Sequence, residues 1–323
     1  MSADGRLPAN VWIVVLNWNG REDTAACLRS LREVRVPPGV TLTRLVVDNG
    51  SEDQSLEVLP PQFPEATFLG TGSNLRWAGG NNVGLELARA AGADGVLLLN
   101  NDTVVEPDFL ATLLAAVAAH PEGGLFGPTI LSWDGARVWS AGGDWSPWLG
   151  WGWHRGLGAP WRGVAAAPGA RGRDAVSCTS LTGAALYVTR ACLEGIGPLD
   201  EGYYLYAEDA DWCVRARRAG FACLWVPGSV VRHRVSGSSG AASPFKAYHR
   251  TRGGLRLAVR GGRPWHALVW PWAQAVLLVA QSLAWRARGG GDAAFRAAWR
   301  AWFDHWRGVP PERSPFVPRR EAA

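Results

Sequence analysis

The feature that most constrains this chain is an apolar run that stops abruptly in three polar residues. The segment GVLLLNNDTVVEP occupies residues 95–107, and its residues 96–99 are typical of a fully buried strand. Asn100, Asn101 and Asp102 follow directly. A solvent-exposed loop would explain their polarity, but not their position at the end of a buried strand. The pattern therefore suggests that the strand ends at a ligand.

The first hundred residues alternate short β-branched segments with segments of helical periodicity. The predicted strands are 11–18, 42–47, 66–69 and 95–102. This alternation predicts an α/β fold with a mostly parallel central sheet and helices on both faces. After the second strand, Ser51 is expected to cap a helix. Ligands of such sheets bind beyond the carboxyl ends of the strands. The polar residues at or near these ends are Asn17, Asp48, Asn74 and Asp102.

Composition places the chain among globular proteins and removes several other classes. Of its 323 residues, 47% are hydrophobic and 19% are charged, which excludes an intrinsically disordered chain. The five cysteines form no Cys-x-x-Cys pair, so neither a zinc site nor a disulfide framework is indicated. The N-terminus has no basic patch followed by an apolar run, so we expect no signal peptide and a cytoplasmic location.

Taken one at a time, the polar segments also have plain structural explanations. The residues that begin with Asp48 could form an ordinary turn, since Asp and Asn accept local backbone hydrogen bonds. The glycine-rich segment 78–82 could be a flexible loop, and residues 100–102 could cap a helix at 107–119. No segment decides the matter alone.

In their order along the chain, however, the segments resemble the family 2 inverting glycosyltransferases, which have the GT-A fold and use nucleotide-diphospho-sugars. The resemblance covers roughly residues 10–260, and the nearest branch contains bacterial rhamnosyltransferases. The motifs that carry it are VLNWNG (15–20), VVDNGS (46–51), NLRWAGGNNVG (74–84), LLLNNDTVV (97–105), GAALYVTR (183–190), YYLYAEDADWCVRARRAGF (203–221) and VRHRVSGSS (231–239). The chain departs from the pattern where Arg76-Trp77 replaces Gly-Phe and Asn100 replaces the first Asp of an Asp-x-Asp motif.

The resemblance implies a donor site at the first set of strand ends. Asp102 matches the last carboxylate of the Asp-x-Asp motif and is expected to hold Mn²⁺ or Mg²⁺. Asp48 matches the residue that accepts a hydrogen bond from N3–H of uracil or thymine, and Asn17 is expected near the same nucleoside. Asn100 could contact the ribose or the metal through its amide oxygen. The predicted donor-binding residues are Asn17, Asp48, Asn74, Ala78, Gly79, Gly80, Asn81, Asn100, Asn101 and Asp102. The backbone of the small residues among them is expected to let the ribose or sugar approach closely.

The resemblance also implies a second metal ligand and a diphosphate-binding loop. His233 ends an apparent strand and matches a metal ligand of the family, although a lone histidine is more often structural or exposed. Arg234, Ser236 and Ser238 follow in a Gly/Ser segment suited to a diphosphate. Arg252 weakly resembles an Arg-Asn element of the family, because a glycine follows it here.

The acceptor side is expected in the second half of the chain. Asp209 matches the family's catalytic base, which takes the proton of the acceptor hydroxyl in a single displacement. The plain alternative is that the acids at 208–211 occupy the first turn of a helix, where the dipole favours them, with Asp211 and Arg215 paired on the surface. The predicted acceptor residues are Gly183, Tyr206, Glu208, Asp209 and Trp212.

The predicted domains are a GT-A domain and a helical C-terminal segment. Residues 1–262 form the GT-A domain, with a donor half at about 10–131, a Trp-rich insertion at 132–176 and an acceptor half at 177–262. Tryptophans of the insertion suit either stacking on a sugar or packing onto the domain. Residues 263–323 form the C-terminal segment.

The C-terminal segment has two further patterns. Its residues 265–285 contain no charged side chain, so they could span a bilayer, lie on it or ignore it. A following helix places five aromatic residues on one face, which favours an interfacial anchor over the alternative of a helix that covers the domain. These residues are Phe295, Trp299, Trp302, Phe303 and Trp306.

The resemblance implies a metal-dependent inverting glycosyltransferase, with rhamnose from dTDP-rhamnose as the expected donor. The acceptor is expected to be a glycan or a lipid-linked saccharide. We expect the protein at the cytoplasmic face of a membrane, with a membrane surface and not nucleic acid as partner. The alternative is a membrane-associated scaffold that binds nucleotide-sugar without turnover. A nucleotidyltransferase is disfavoured, because the first strand is followed by NWNGRED and not by a glycine-rich basic loop.

Overall fold

The structure, a computed structural model, describes residues 6–146, 148, 151–162, 174–234, 243–262, 264–287 and 292–316. The described residues fall into two units. The first is drawn from Met1–Asp144, Trp153–Leu199 and Trp212–Val235. The second is drawn from Trp145–Gly152, Asp200–Asp211 and Ser236–Ala323.

The first four strands alternate with helices, as the sequence predicts, and further strands and helices follow. In chain order they begin with β1 (Asn10–Asn17), α1 (Arg21–Arg32), β2 (Thr41–Asp48), α2 (Ser55–Val58), β3 (Thr67–Gly70), α3 (Arg76–Ala90), β4 (Gly95–Asn100), β5 (Thr103–Val105), α4 (Phe109–Ala119) and β6 (Gly123–Ser132). They continue with β7 (Val138–Ser140), β8 (Gly143–Ser146), β9 (Trp151–His154), β10 (Val176–Cys178), β11 (Ala185–Thr189), α5 (Arg190–Ile196), α6 (Glu208–Arg218), β12 (Ala222–His233), α7 (Pro244–Gly261), α8 (Trp270–Ala287) and α9 (Asp292–Trp306).

The main sheet of the first unit has the strand order β10-β12-β6-β11-β4-β1-β2-β3, with β5 added to β12 and β7 to β6. The four strands β3, β2, β1 and β4 run parallel to one another, and β12 runs parallel to β6. Their carboxyl ends are therefore aligned, and Asn17 pairs in register with Asp48. The predicted α/β fold is confirmed.

Two antiparallel pairings bring later parts of the chain to this edge. Strand β11 runs antiparallel to β4, so that its first residue, Ala185, lies opposite Leu99 near the carboxyl end of β4. Strand β12 runs antiparallel to β5 and sets His233 opposite Thr103. Residues far apart in sequence therefore meet beside the Asn100–Asp102 turn.

Alternate residues of the strands pack against helices on opposite faces of the sheet. In β1, Ile13 and Val15 belong to the core that includes Leu28 of α1, whereas Val14 belongs to the core that includes Leu85 of α3. Strand β4 is buried on both faces, as its uninterrupted apolar run predicts. The buried strand thus carries its polar end to a fixed position.

Three local predictions for the first unit are wrong. Ser51 does not cap a helix, since α2 is a single turn preceded by Gln54, and the Ser51 hydroxyl instead accepts a hydrogen bond from the Asn19 backbone N–H. Residues 100–102 do not cap α4, which is preceded by Asp108. Residues 78–80 are not a loop, because α3 already begins at Arg76.

The second unit is built around the contact of α7 with α9. The buried face of α9 consists of alanines, which lie against Ala247 and Tyr248 of α7. The Tyr248 hydroxyl donates to Asp304 Oδ2 at 2.9 Å, and Arg252 donates to the carbonyl oxygen of Val309. The alanines are Ala294, Ala297, Ala298 and Ala301. The aromatic residues of α9 therefore do not form its main buried face, and Phe303 and Trp306 are about half exposed.

Helix α8 occupies most of the uncharged segment. Trp270, Gln274 and Leu278 are buried, whereas the opposite face is exposed. In the described part of the chain, no helix combines the length and the apolar character needed to cross a membrane. Helix α7 belongs to the same unit as α8 and α9, so the units do not divide at the predicted domain boundary after 262.

Candidate active site

Asn17 is the centre of a buried polar network at the carboxyl end of β1. Its side-chain N–H₂ donates to Asp48 Oδ2 at 2.8 Å. Its Oδ1 accepts from the Thr24 hydroxyl at 2.9 Å and from Asn101 Nδ2 at 3.0 Å. Asn17 is fully buried and holds the strand ends together, and its predicted place near a nucleoside stays a prediction. Asn101 is likewise engaged in this network.

Asp48 and Asn49 continue the network toward β3 and α3. Both Asp48 oxygens accept hydrogen bonds, one from Asn17 and the other from the Ser51 backbone N–H at 2.9 Å. Asn49 donates to Asn74 Oδ1 at 3.1 Å, which orders the segment before α3. Asp48 is 1% exposed. Its predicted contact with a pyrimidine base stays a prediction.

The first turn of α3 is packed closely against the sheet. Ala78, Gly79, Gly80 and Asn81 are all buried. A Cβ atom added to Gly80 would come within 2.4 Å of the Leu16 side chain. Asn81 donates to the Trp77 carbonyl oxygen at 2.9 Å, and its Oδ1 has no hydrogen-bond partner within the described residues. Gly80 is therefore required by packing of the helix on β1, and a role of the small residues in sugar binding stays a prediction.

Trp77 joins this helix to the end of β4. Its indole N–H donates to Asn100 Oδ1 at 2.9 Å. Its ring lies against Gly183, where an added Cβ atom would come within 2.5 Å of the indole. The Asn100 backbone N–H bonds the carbonyl oxygen of Ala184 at 3.0 Å. Trp77 and Asn100, two of the positions at which the sequence departs from the family, are thus in direct contact.

Asp102 and His233 form the charged centre of the edge. His233 Nε2 lies 3.0 Å from Asp102 Oδ1, and both side chains are nearly buried. The edge of the Trp139 ring packs on the imidazole with centroids 5.0 Å apart. His233 Nδ1 has no hydrogen-bond partner within the described residues. Between them, one carboxylate from the turn between β4 and β5 and one imidazole from the end of β12 present oxygen and nitrogen atoms.

Arg234 continues the chain from this pair. Its backbone N–H donates to the Asp102 carbonyl oxygen at 2.9 Å. Its guanidinium lies 3.2 Å from an Asp23 oxygen and 4.2 Å above the Trp133 ring. The other predicted diphosphate residues, Ser236 and Ser238, lie outside the described residues.

The tryptophans of the insertion divide between the two roles left open by the sequence. Trp139 stacks on His154 with a centroid distance of 4.7 Å, and Trp145 is 7% exposed, so both are packing residues. Trp148, Trp151 and Trp153 are substantially exposed. Packing thus accounts for the first two, while sugar stacking stays a prediction for exposed members.

Of the predicted acceptor residues, Tyr206, Glu208 and Asp209 belong to the second unit. Asp209 is partly exposed in the first turn of α6, and one of its oxygens accepts from the Ala210 backbone N–H at 2.7 Å. Glu208 is buried, and its Oε2 has no hydrogen-bond partner within the described residues. Burial, and then the neighbouring charge of Asp209, raise the pKa of the Glu208 carboxyl to about 8. A buried carboxyl group with a raised pKa therefore lies beside a second, partly exposed carboxyl group.

Two further residues of the same helix are buried. Trp212 is fully buried and its indole donates to the Gly197 carbonyl oxygen at 2.9 Å, so its side chain is part of the core and not open to an acceptor. Asp211 accepts a hydrogen bond from the Tyr203 hydroxyl at 2.9 Å, so it lies in the interior and not on the surface.

The loop before α6 has an unusual backbone. Tyr204, Tyr206 and Ala207 all have positive φ angles, of 64°, 70° and 74°. Such angles are unfavourable for residues with a Cβ atom and are often found at functional sites. Gly253 of α7 supports the loop, because a Cβ atom there would come within 2.2 Å of the Tyr206 carbonyl oxygen. The glycine after Arg252 thus has a packing function.

Sequence reasoning missed several residues that shape the site. Thr24, Asp23 and Trp133 contact predicted site residues, and Trp77 was noted only as a departure. For Thr24 and Asp23, the available signal was their place at the start of the helix that follows the first strand.

Comparisons with known proteins identify a family and a fold for this chain. The family model described as "Glycosyltransferase like family 2" matches residues 8–253. An N-acetylglucosaminyl-diphospho-decaprenol L-rhamnosyltransferase of Mycobacterium tuberculosis is 30% identical over 226 residues, which are 64% of this chain and 72% of that protein.

Solved structures share the fold at low sequence identity. A mannosyltransferase from Pyrobaculum calidifontis, solved with GDP-Man and Mn²⁺, is 17% identical with a TM-score of 0.56, and the match covers 94% of this chain and 84% of that one. GalNAc-T7, solved with UDP, GalNAc and Mn²⁺, is 16% identical with a TM-score of 0.56 over 71% of this chain and 44% of that one. The fold is therefore the GT-A fold.

Proposed function

Because the chain belongs to glycosyltransferase family 2, we propose that it is a metal-dependent inverting glycosyltransferase that transfers rhamnose from dTDP-rhamnose. The observation that carries the proposal is the Asp102–His233 pair, which assembles two candidate metal ligands at the carboxyl edge of the sheet. Family membership supports an enzyme over a non-catalytic scaffold.

The residues present fit a divalent metal. Asp102 and His233 would hold the ion through one carboxylate oxygen and one imidazole nitrogen, atoms that lie 3.0 Å apart. A carboxylate with an imidazole suits Mn²⁺, and Mg²⁺ is the harder alternative. A bound ion would neutralise the charge that develops on the diphosphate leaving group. In the described residues no group of three or more His, Cys, Asp or Glu side chains is placed to hold a metal, so the donor diphosphate is expected to complete the coordination.

The donor would lie along the carboxyl ends of β1, β2 and β4. Asp48 is proposed to accept a hydrogen bond from N3–H of the base. Asn17 holds the Asp48 carboxylate in place by donating a hydrogen bond to it. Arg234 is proposed to bind the diphosphate after leaving Asp23, since its guanidinium is about half exposed and its backbone is tied to Asp102.

Asp209 is proposed as the catalytic base. The acceptor hydroxyl gives its proton to the Asp209 carboxylate while its oxygen bonds the anomeric carbon. The bond from that carbon to the diphosphate oxygen breaks in the same displacement, which releases the nucleoside diphosphate and inverts the anomeric configuration. The neutral Glu208 beside it can donate a hydrogen bond and leaves Asp209 as the group that accepts the proton.

A lipid-linked acceptor at the cytoplasmic face of a membrane is proposed from two observations. The Mycobacterium tuberculosis relative is named for a decaprenol-linked substrate. In this chain, the outer face of α8 exposes a row of large apolar side chains at helical spacing. They are Trp272, Val276, Val279 and Leu283. Such a face is suited to lie in a membrane interface.

The test of the proposal is a donor panel with the purified full chain. Transfer or hydrolysis is measured with Mn²⁺, Mg²⁺ or excess chelator for dTDP-rhamnose, UDP-sugars and GDP-mannose, with a polyprenyl-diphosphate-linked sugar as acceptor. We expect dTDP-rhamnose to be used most efficiently, and only with metal. Turnover of a different donor would refute the assignment of the sugar. Binding of donors with no turnover on any acceptor would favour the scaffold.

A further inference from the structure

The contact between Trp77 and Asn100 fixes the orientation of an amide. An indole N–H is only a donor, so the atom that faces it must be an acceptor. In this structure that atom is Asn100 Oδ1, at 2.9 Å from Trp77 Nε1. The amide nitrogen of Asn100 therefore faces away from Trp77, and it forms no hydrogen bond within the described residues.

The indole itself has little freedom to release this bond. Its six-membered ring lies over Gly183, with no room for even a methyl group between them. Its main chain is held through the bond from Asn81 to the Trp77 carbonyl oxygen. Because the contacts with Gly183 and Asn81 set the position of the indole ring, the Asn100 amide is oriented before any ligand binds.

From this geometry we propose that Trp77 is a positioning residue that makes Asn100 a hydrogen-bond donor to an oxygen of the nucleotide-sugar and withholds its amide oxygen from the metal. The inference rests on the proposed function, because it assumes that the donor binds at this edge. It is an alternative to the expectation that Asn100 contacts the ribose or the metal through its amide oxygen. Asp102 would then be the one carboxylate of the NND segment that serves the ion.

The experiment compares three variants by calorimetric binding of dTDP and UDP in the presence and absence of Mn²⁺, and by donor KM and kcat. Trp77→Phe keeps the ring but removes its N–H. Asn100→Asp keeps an acceptor oxygen for Trp77 but loses the N–H₂ group, because the amide becomes a carboxylate, the second in the NND segment. Trp225→Phe is the matched control, since it removes a comparable indole bond, 3.0 Å to the Thr129 hydroxyl. Melting temperatures of all three show whether each remains folded.

We expect Trp77→Phe to weaken donor binding and raise donor KM about tenfold, the scale of one hydrogen bond, with little change in kcat. Asn100→Asp should weaken donor binding at saturating metal by a similar factor and bind Mn²⁺ more tightly than the parent. Trp225→Phe should match the parent in its affinity for the donor and in its affinity for Mn²⁺. In a double-mutant cycle, Trp77→Phe should add little to Asn100→Ala, because the two act through one bond.

Several results would overturn the inference. One is parental donor affinity in a folded Trp77→Phe protein, and another is full additivity in the cycle. A third is an Asn100→Asp protein with parental affinity for both donor and Mn²⁺. If Trp77→Phe is too unstable, Asn100→Asp and the Asn100→Ala comparison still decide the question. Failure of the parent chain to bind any nucleoside diphosphate would instead count against the proposed function, so the two failures are distinguishable.

Discussion

Asp102 and His233 are 131 residues apart in sequence, yet His233 Nε2 lies 3.0 Å from Asp102 Oδ1. The pairing of β12 with β5 brings them together, since it sets His233 beside Thr103, the residue after Asp102. The backbone pairing of β12 with β5 thus brings the two side chains to their positions.

The first prediction concerns this pair. Asp102→Ala should abolish metal-dependent binding of the nucleoside diphosphate while the protein remains folded, because the strand before it is apolar and buried on both faces. His233→Ala should weaken that binding less, by about tenfold, since a water molecule can replace a neutral ligand. Calorimetry with dTDP and Mn²⁺ measures both. Asp108→Ala, at an exposed surface pair, is the control. Parental metal-dependent binding in Asp102→Ala would exclude this metal site.

The second prediction concerns the proton acceptor. Asp209→Asn keeps the size of the side chain but removes the base, so transfer should fall by roughly 10²-fold or more, the scale of general-base catalysis. Donor affinity should stay near that of the parent. Rates of transfer and donor binding are measured together, and Asp134→Asn, in an exposed turn, is the control. Near-normal transfer would leave the acids of α6 as ordinary first-turn residues.

The third prediction concerns pH and stability. The pKa of Glu208 is raised to about 8 by burial and by Asp209. The folded protein therefore holds a proton that the unfolded chain loses near its ordinary pKa, about 4.3. Stability from this group is complete at low pH and declines as pH rises toward the folded pKa.

Glu208→Gln should remove that decline, because glutamine does not titrate. The melting temperature of Glu208→Gln minus that of the parent should increase steadily from pH 5 to pH 8. Glu57→Gln, on an exposed surface position, should show a constant difference. A difference for Glu208→Gln that is flat across this range would contradict the raised pKa.

The fourth prediction concerns the loop before α6. Gly253→Ala should displace the Tyr206 carbonyl oxygen, since the added Cβ would lie within 2.2 Å of it. We expect a loss of stability of about 1–3 kcal/mol, typical of an overpacked site, together with reduced transfer. Gly254→Ala, at a half-exposed position of the same helix, should be neutral or stabilising. Denaturant unfolding distinguishes them, and equal stability of the two variants would remove the proposed support of the loop.

The fifth prediction concerns the membrane. The double variant Val276→Asp/Leu283→Asp places charge on the exposed face of α8 and should abolish sedimentation with vesicles of anionic phospholipid. Binding of the parent should weaken with salt, because attraction of arginines to headgroups is screened. Leu87→Asp changes an exposed apolar residue of α3 and should bind like the parent. Equal sedimentation of the double variant and the parent would exclude this face as the contact.

The order of the elements could be predicted because each depends on local pattern. The apolar run of β4 and the periodicity of α1 and α3 are visible in the sequence, and the strand ends follow from them. Ser51 failed as a predicted cap because its hydroxyl has stronger long-range partners, Asn17 and the Asn19 backbone. Hydrogen bonds between different strand ends leave no trace in a local pattern.

The face of α9 that packs inside could not be predicted for a different reason. Periodicity draws attention to the large aromatic side chains such as Phe303, but close contact between two helices favours small ones, and here α7 lies on the alanines. The burial of Trp212 could not be predicted either, since a buried tryptophan and one that contacts a sugar look the same in the sequence.

The alanine contact between α7 and α9 determines where the chain can be shortened. An end placed after Gly262 would uncover Ala247 and Tyr248, and would remove Asp304 and Val309 as partners of α7 side chains. Shortened proteins for crystallisation, and chimaeras with related proteins, should therefore keep residues 244–316 together. Solubility is better sought by substitution on the outer face of α8 than by deletion.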